Sequence, residues 1–220
     1  MRDGVFSWLN KLSTIPLVKF LFVKEIKGLE NIPKRNFILA SNHQSYLDLY
    51  INGIICAPKR FHFIGQIDNW KGIAGFFIKM YYKTAGVIPL DRKSEESRKI
   101  VIQEAIKVLK KGEILIMYPE GKRSIDGKLQ EGKLGLAKIF LKTGVPILPV
   151  GIKGTFELLP PRGKLKIKKI AMVNIGKPLY FEKEFKESKN LKEDSKGYSE
   201  LLKKITGEIM SNISALIKST

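Results

Sequence analysis

Ser94 to Tyr118 reads SEESRKIVIQEAIKVLKKGEILIMY, a helix signal followed at once by a strand signal. Ser94 can accept from the unpaired N–H groups of a helix start, and Glu95 and Glu96 stand in the first turn, where acidic charge suits the helix dipole. Ile102, Ala105, Ile106 and Leu109 recur at i, i+3, i+4 and i+7, the stripe of a helix with one buried side. Lys110 and Lys111 close the helix and Gly112 ends it. Glu113 to Tyr118 (EILIMY) then predicts a strand.

The same alternation extends outward from this stretch. Asn36 to Ser41 (NFILAS) predicts a buried strand, followed by a polar cluster and a helix through about Ile55. Arg60 to Gly65 (RFHFIG) predicts a strand, Trp70 to Lys83 is long enough for a helix, and Val87 to Leu90 is a short strand. Downstream, Lys133 to Thr143 predicts a helix stopped by Gly144, and Pro146 to Ile152 a strand. Strands alternating with helices predict one α/β domain with a largely parallel sheet flanked by helices.

Beyond Lys164, Leu165, Ile167 and Ile170 alternate with Lys, which predicts a strand with one wet face. Glu182 to Lys196 is a mixed charge run expected to form a solvated connection. Tyr198 to Lys218 predicts an amphipathic helix with Leu202, Ile205, Ile209, Ile213 and Leu216 on one side. Val173 to Pro178 (VNIGKP) has no charge logic of its own and reads as structural. So does His62, which alternates with Phe61 and Phe63.

The chain has 220 residues, 44% hydrophobic and 10% aromatic, so general disorder is excluded and one domain is the natural size. Lys and Arg number 40 against 21 Asp and Glu, a net charge of +19. Such an excess suits nucleic acid, an anionic bilayer surface, or an acidic or phosphorylated substrate, or serves as a Lys-rich solubilising coat. The single cysteine, Cys56, cannot form an internal disulfide, which fits a reducing compartment.

A transmembrane helix needs about 18 to 20 nearly uncharged apolar residues, and every apolar run here is cut sooner. The nearest approach, Gly4 to Val23 (GVFSWLNKLSTIPLVKFLFV), is broken by Lys11, Pro16 and Lys19 and shows no signal-peptide pattern. Its apolar residues with interspersed Lys suit one or two short helices in a membrane interface, with Trp8 near the headgroups. They suit equally an N-terminal helix packed on the domain.

Three strand ends carry polar sequence that can point at one crevice, where α/β sheets bind ligands. The first is Asn42-His43-Gln44-Ser45-Tyr46-Leu47-Asp48. Five positions along a regular helix separate side chains by about 140° of azimuth, so His43 and Asp48 meet only if His43 sits on the turn before the helix. A carboxylate bonded to one ring nitrogen then fixes the tautomer and leaves the other as a base. The bland alternative is a capping histidine and a solvated aspartate. The second strand end delivers Asp91 and Arg92; Arg recognises phosphate or carboxylate with two parallel donors, unless the pair is a surface contact. The third is Tyr118-Pro119-Glu120-Gly121-Lys122-Arg123-Ser124. Here Gly121 allows a tight turn, and ammonium, guanidinium and hydroxyl donors follow in succession, as an anion cradle would need or a basic surface turn would show. No G-x-S-x-G elbow, zinc cluster or G-x-x-x-x-G-K-[ST] loop is present.

In this order the clusters resemble the glycerolipid acyltransferase family, which includes bacterial 1-acylglycerol-3-phosphate acyltransferases. The family blocks N-H-x-x-x-x-D, G-x-x-x-x-x-R, P-E-G-x-R-S and V-P-[IV]-x-P-V stand here as Asn42 to Asp48, Gly86 to Arg92, Pro119 to Ser124 and Val145 to Val150. Gly132-Lys133-Leu134-Gly135 and Ile175 to Pro178 also resemble family segments, so the likeness runs from about residue 25 to 180. Lys122 replaces the Thr common at that place, and Pro89-Leu90 replace a frequent Phe-Ile. Gly65-Gln66-Ile67 lacks the Lys-Glu pair many members carry.

The resemblance implies a glycerol-3-phosphate acyltransferase-like fold with 24–220 as the acyltransferase domain, and the apolar pattern of the first residues makes 1–23 an expected N-terminal membrane-interface helical segment. It implies transfer of a fatty acyl group from an acyl thioester to the sn-2 hydroxyl of 1-acylglycerol 3-phosphate, making phosphatidic acid in phospholipid biosynthesis. His43 would be the base and Asp48 its orienting acid. Arg92, Glu120, Gly121 and Arg123 would bind the acceptor, with Lys122 and Ser124 as further candidates. No cofactor is implied beyond acyl-coenzyme A or acyl-carrier protein as co-substrate. The expected partners are a lysophospholipid acceptor, an acyl donor such as an acidic carrier protein, and an anionic membrane surface. Nucleic acid is not among them. The expected location is the cytoplasmic side of a membrane, peripheral or interfacially embedded. Trp70 to Tyr82 (WKGIAGFFIKMYY) would line an acyl groove, touch lipid, or pack on the sheet. The rivals are a family member acting on glycerol 3-phosphate, another lysophospholipid or an aminolipid, and a non-catalytic module for anionic lipid or nucleic acid. Against RNA, the basic run Lys164 to Lys169 has no aromatic to stack on bases.

Overall fold

The computed structural model describes residues 5–66, 76, 77, 80, 82 and 85–219, with side chains from Thr14 onward. Helix α1 (Val5–Phe22) runs into strand β1 (Val23–Lys27), and β2 (Ile38–Ser41), α2 (Leu47–Cys56) and β3 (Phe61–Gln66) follow. Then come β4 (Val87–Leu90), α3 (Glu95–Lys110), β5 (Ile114–Met117), α4 (Gly135–Thr143) and β6 (Ile147–Lys153). The chain ends with α5 (Thr155–Leu158), β7 (Ala171–Ile175), α6 (Glu182–Ser188) and α7 (Lys196–Lys218).

The strands form one sheet in the order β1-β7-β6-β2-β5-β3-β4. Its pairings are parallel apart from β6 with β7. A parallel pair cannot be closed by a tight turn, so α2, α3 and α4 serve as the crossovers that the alternating pattern predicts. Central β2 lies between β5 and β6, with Ile38 opposite both Leu115 and Ile147.

The period of two splits the strand side chains between two cores. Ile38, Ala40, Leu115, Met117 and Ile147 join the core made with α3, α4 and α7. Leu39, Ile114, Ile116, Leu148 and Val150 join the core made with α1 and α2. Each fully buried Ile or Leu contributes about 1.5–3 kcal/mol, which is why the central strands read as unbroken apolar runs.

Ser94 caps α3, its Oγ accepting from Ser97 N at 3.0 Å. Gly112 and Gly144 end α3 and α4 at positive φ of 77° and 65°, where an L side chain would be strained. The buried stripe of α3 is Val101, Ala105, Val108 and Leu109. Ile102 and Ile106 are half-buried, a rotation from the expected stripe, and Ile102 packs at the edge of this core while also lining an open cavity.

Two expectations are corrected. Lys164 to Ile170 is irregular, and the strand begins at Ala171. Both edges of β7 are taken by β1 and β6, so the alternating segment has no ladder to join. Glu182 to Lys196 is not all solvated connection, because it contains α6. Phe181 and Phe185 on either side of its start pack against Phe140, with ring centroids 5.5 and 6.0 Å apart. Glu184 is buried there and meets Lys204 Nζ at 2.7 Å.

α7 crosses β6 at Gly151. A Cβ there would lie 2.8 Å from backbone atoms of Leu216 and Ile217, so only glycine permits this approach. Asn174 Nδ2 donates to Leu216 O at 3.0 Å, which gives the VNIGKP segment its structural role. His62 Nε2 pairs with Glu113 Oε2 at 2.7 Å across β3 and β5.

α1 is one helix with Pro16 inside it. Ile15, Val18 and Phe22 are buried, whereas Leu17 and Phe20 are exposed. Ile15 packs close to Gly53 of α2, where an added Cβ would be 3.2 Å from Ile15 Cδ1. Among the described residues no helix is long and apolar enough to cross a membrane. The helix expected over 70–83 falls outside the described residues except at 76, 77, 80 and 82, where Phe76, Phe77 and Met80 are exposed.

Candidate active site

The site begins where β2 leaves the sheet. Asn42 is fully buried, and its side-chain amide continues the ladder: Nδ2 donates to Ile152 O at 2.8 Å and Oδ1 accepts from Ile152 N at 2.8 Å. The backbone is thereby released to turn. His43 sits on that turn and Asp48 in the first turn of α2, the arrangement that lets residues five apart converge. His43 Nδ1 lies 2.9 Å from Asp48 Oδ2. The same oxygen accepts from Gln44 N at 2.6 Å and Ser45 N at 2.7 Å. Asp48 is fully buried, so these contacts act without competition from water and fix the carboxylate tightly.

The imidazole lies on Tyr118, with ring centroids 3.8 Å apart and planes 11° apart. The phenol oxygen accepts from Asn52 Nδ2 at 3.3 Å. Burial, followed by the charge of Asp48, holds the phenol well above its ordinary pKa, so it stands under His43 as a neutral π face.

The third polar cluster clamps the His43 turn through its backbone. His43 N donates to Glu120 Oε1 at 2.7 Å and Ser124 N donates to His43 O at 2.7 Å. Glu120 Oε2 accepts from Gln130 N at 2.7 Å. Glu120 is 1% exposed, with each carboxylate oxygen on a backbone amide. It braces two loops where the sequence reading had it contact the acceptor. Burial pushes its pKa up to about 7; the Gln130 and His43 amides oppose this, and the charges of Asp48 and Asp126 add to it.

Gly121 holds φ at 70° in the turn, with its N–H on Tyr118 O at 2.9 Å. Ser124 is buried and its Oγ donates to Asp126 at 2.8 Å, so the hydroxyl is engaged inside the loop. Lys122 is exposed. The Arg123 guanidinium lies 3.7 Å over the Tyr46 ring.

A cavity of about 530 Å³ opens beside His43. Val101, Ile102, Leu136 and Ile139 line its apolar flank between α3 and α4, and Gly121 and Arg92 also line it. The structure thus brings His43 and Arg92 to one hollow, whereas Lys122, Arg123 and Ser124 are not among its described lining residues. Arg98, Lys133 and Lys138 add three further cations to the wall. Sequence reasoning had no signal for Arg98 and Lys138, which look like solvated helix residues. Lys133 lay in the Gly132 to Gly135 segment, and its stem passes Gly121, where a Cβ would be 3.1 Å from Lys133 Cδ. Among the described lining residues none is Ser, Thr or Cys.

A half-buried imidazole held by a buried carboxylate and facing an amphiphilic, cation-bearing hollow is the equipment for moving a proton off an oxygen of an anionic amphiphile. The family model described as Acyltransferase matches residues 24–153, more than half of the chain, and the chain belongs to that family. It is 33% identical over 164 residues to the chloroplastic 1-acyl-sn-glycerol-3-phosphate acyltransferase BAT2 of Brassica napus, a match covering 72% of this chain and 46% of that protein. It is 29% identical over 161 residues to the 1-acyl-sn-glycerol-3-phosphate acyltransferase of Bacillus subtilis, covering 71% of this chain and 73% of that one. The chain spans less than half the length of the Brassica relative. Among solved structures it resembles the 1-acyl-sn-glycerophosphate (LPA) acyltransferase PlsC from Thermotoga maritima, with a TM-score of 0.64 and 28% identity, covering 96% of this chain and 79% of that one.

Proposed function

We propose that this chain is an O-acyltransferase that moves a fatty acyl group from an acyl thioester to the sn-2 hydroxyl of 1-acylglycerol 3-phosphate, yielding phosphatidic acid. The observation that carries the reading is the 2.9 Å bond between His43 Nδ1 and Asp48 Oδ2 beside the cavity. Asp48 accepts a hydrogen bond from Nδ1–H, which keeps the proton on Nδ1 and leaves the Nε2 lone pair free to take the acceptor's hydroxyl proton. The oxygen attacks the thioester carbonyl, the tetrahedral intermediate collapses, the C–S bond breaks, and Nε2–H returns its proton to the leaving thiolate. A lining without Ser, Thr or Cys supports direct transfer without an acyl-enzyme. The cations of the wall suit the acceptor phosphate and the apolar flank suits a chain.

The names of the relatives support this acceptor. Acyl-coenzyme A and acyl-carrier protein both fit as donors, and the net charge of +19 suits an acidic carrier. The same charge, together with exposed Leu17 and Phe20 on α1, supports a peripheral position on the cytoplasmic side of a membrane, with residues 1–23 as the interfacial segment and 24–220 as the acyltransferase domain.

The test is thiol release from acyl-coenzyme A and from acyl-carrier protein by purified protein, with lysophosphatidic acid, other lysolipids and glycerol 3-phosphate as acceptors. Release dependent on lysophosphatidic acid, and lost in His43→Ala, is expected. Acceptor-independent release, or an unchanged rate in His43→Ala, would refute the reading.

A further inference from the structure

Lys164 to Lys169 (KLKIKK) lies open between α5 and β7, every residue exposed, with Leu165 at 51% and Ile167 at 67% exposure. Its four lysines form no ion pair among the described residues. Two large aliphatic side chains, each more than half exposed, stand among these four lysines, a pattern that suits a partner surface both apolar and anionic.

The loop does not stand alone. Val23 pairs with Ala171, which sets the last turn of α1 beside the end of the loop. Lys169 Nζ lies 5.8 Å from the ring centroid of Phe20. Exposed Leu17 and Phe20 therefore share a face with the basic loop. The loop is also tied to the site. Lys166 N donates to Leu158 O at 2.8 Å, and Ser45 Oγ donates to Leu159 O at 2.8 Å. Ser45 N is one of the amides on Asp48.

We infer that this loop is a second membrane contact, docking on an anionic bilayer with Leu165 and Ile167 among the headgroups and Lys164, Lys166, Lys168 and Lys169 on lipid phosphates. The charge is complementary to such a surface. Nucleic acid is disfavoured, because the loop offers no ring to stack on bases and two aliphatic side chains that a nucleic acid cannot bury. The inference deepens the proposed function and rests on it in taking the acceptor from a bilayer. Through Leu158, Leu159 and Ser45 the docked loop stays connected to the turn that bears His43.

The experiment is co-sedimentation of the full chain with phosphatidylcholine vesicles, with and without phosphatidylglycerol. Three variants are compared: K164Q/K166Q/K168Q/K169Q, L165S/I167S, and K99Q/K107Q/K110Q/K111Q. The last removes equal charge from α3 and Gly112's preceding turn, across the sheet from α1. Each patch variant should bind phosphatidylglycerol vesicles at least about tenfold more weakly than wild type, and the α3 variant at most a few-fold. All should turn over a detergent-dispersed acceptor as wild type does. Equal losses in the two lysine variants, or wild-type binding by either patch variant, overturns the inference. So does equal wild-type binding to both kinds of vesicle. Because sedimentation needs no turnover, a failed activity with intact selective binding counts against the enzyme reading and not against the docking face.

Discussion

The imidazole of His43 lies flat on the phenol of Tyr118, 3.8 Å between centroids and 11° from parallel. A base that becomes an imidazolium in the transition state gains from a π face underneath it, by about 1–2 kcal/mol when desolvated. Tyr118→Leu should therefore lower kcat by about fivefold to thirtyfold, with the acceptor's KM little changed. Tyr118→Phe keeps the face and loses only the Asn52 bond, so its kcat should stay within a few-fold of wild type. Steady-state kinetics on both variants checks this; equal losses would assign the effect to the hydroxyl.

Glu120 gives a prediction with a definite sign. Its pKa is raised from 4.5 to about 7 in the folded protein, chiefly by burial. Between those values the folded state keeps a proton that the unfolded state has lost, so this group's contribution to stability declines as pH rises from about 4.5 to about 7. The full decline is about 3 kcal/mol. Glu120→Gln puts an NH₂ group against one of two backbone N–H donors and should destabilise. Its deficit relative to wild type should shrink across that window, because only wild type titrates there. Urea unfolding of both proteins at several pH values measures it. A constant difference would contradict the buried carboxylate. In kinetics the variant should lose kcat by displacing His43, with KM nearly unchanged.

The sequence was most informative where signals are local. The Ser94 cap, the Gly112 and Gly144 stops and the strand–helix alternation each depend on neighbours within a turn or two. The convergence of His43 and Asp48 was also readable, because it follows from placing one residue before a helix and the other inside it. What failed depends on distant partners. The Lys164 to Ile170 alternation is good strand sequence, but a strand needs a free edge and β7 has none. The charge around α6 hides two phenylalanines whose anchor, Phe140, lies on another helix. Glu120 looks like a ligand-facing acid until its burial places it on the amides of His43, 77 residues away, and of Gln130.

Asn42 splices β2 to β6 through two hydrogen bonds to Ile152. Asn42→Ala would leave a buried N–H and a buried C=O unpaired and should cost about 2–4 kcal/mol of stability. Asn42→Asp would retain the bond from Ile152 N but set a carboxylate oxygen against Ile152 O, and should cost at least as much. Urea unfolding measures both. Losses below about 1 kcal/mol would mean that Ile152 finds other partners.

The cations divide by position, and that division predicts different kinetics. Arg92 lines the cavity with His43, whereas Arg123 stacks on Tyr46, which is 49% exposed. If the acceptor phosphate sits in the hollow, Arg92→Ala removes a charge-assisted contact worth about 1.5–3 kcal/mol. The acceptor's KM should then rise by about tenfold or more, with kcat and the donor's KM close to wild type. Arg123→Ala also removes the cap on Tyr46, two residues ahead of Asp48, so its loss should fall on kcat as well as on KM. A lysolipid without the phosphate separates charge recognition from turn geometry. On that acceptor Arg92→Ala should match wild type, while Arg123→Ala should remain slower. Equal defects for both variants on both acceptors would place the phosphate somewhere other than the hollow beside His43.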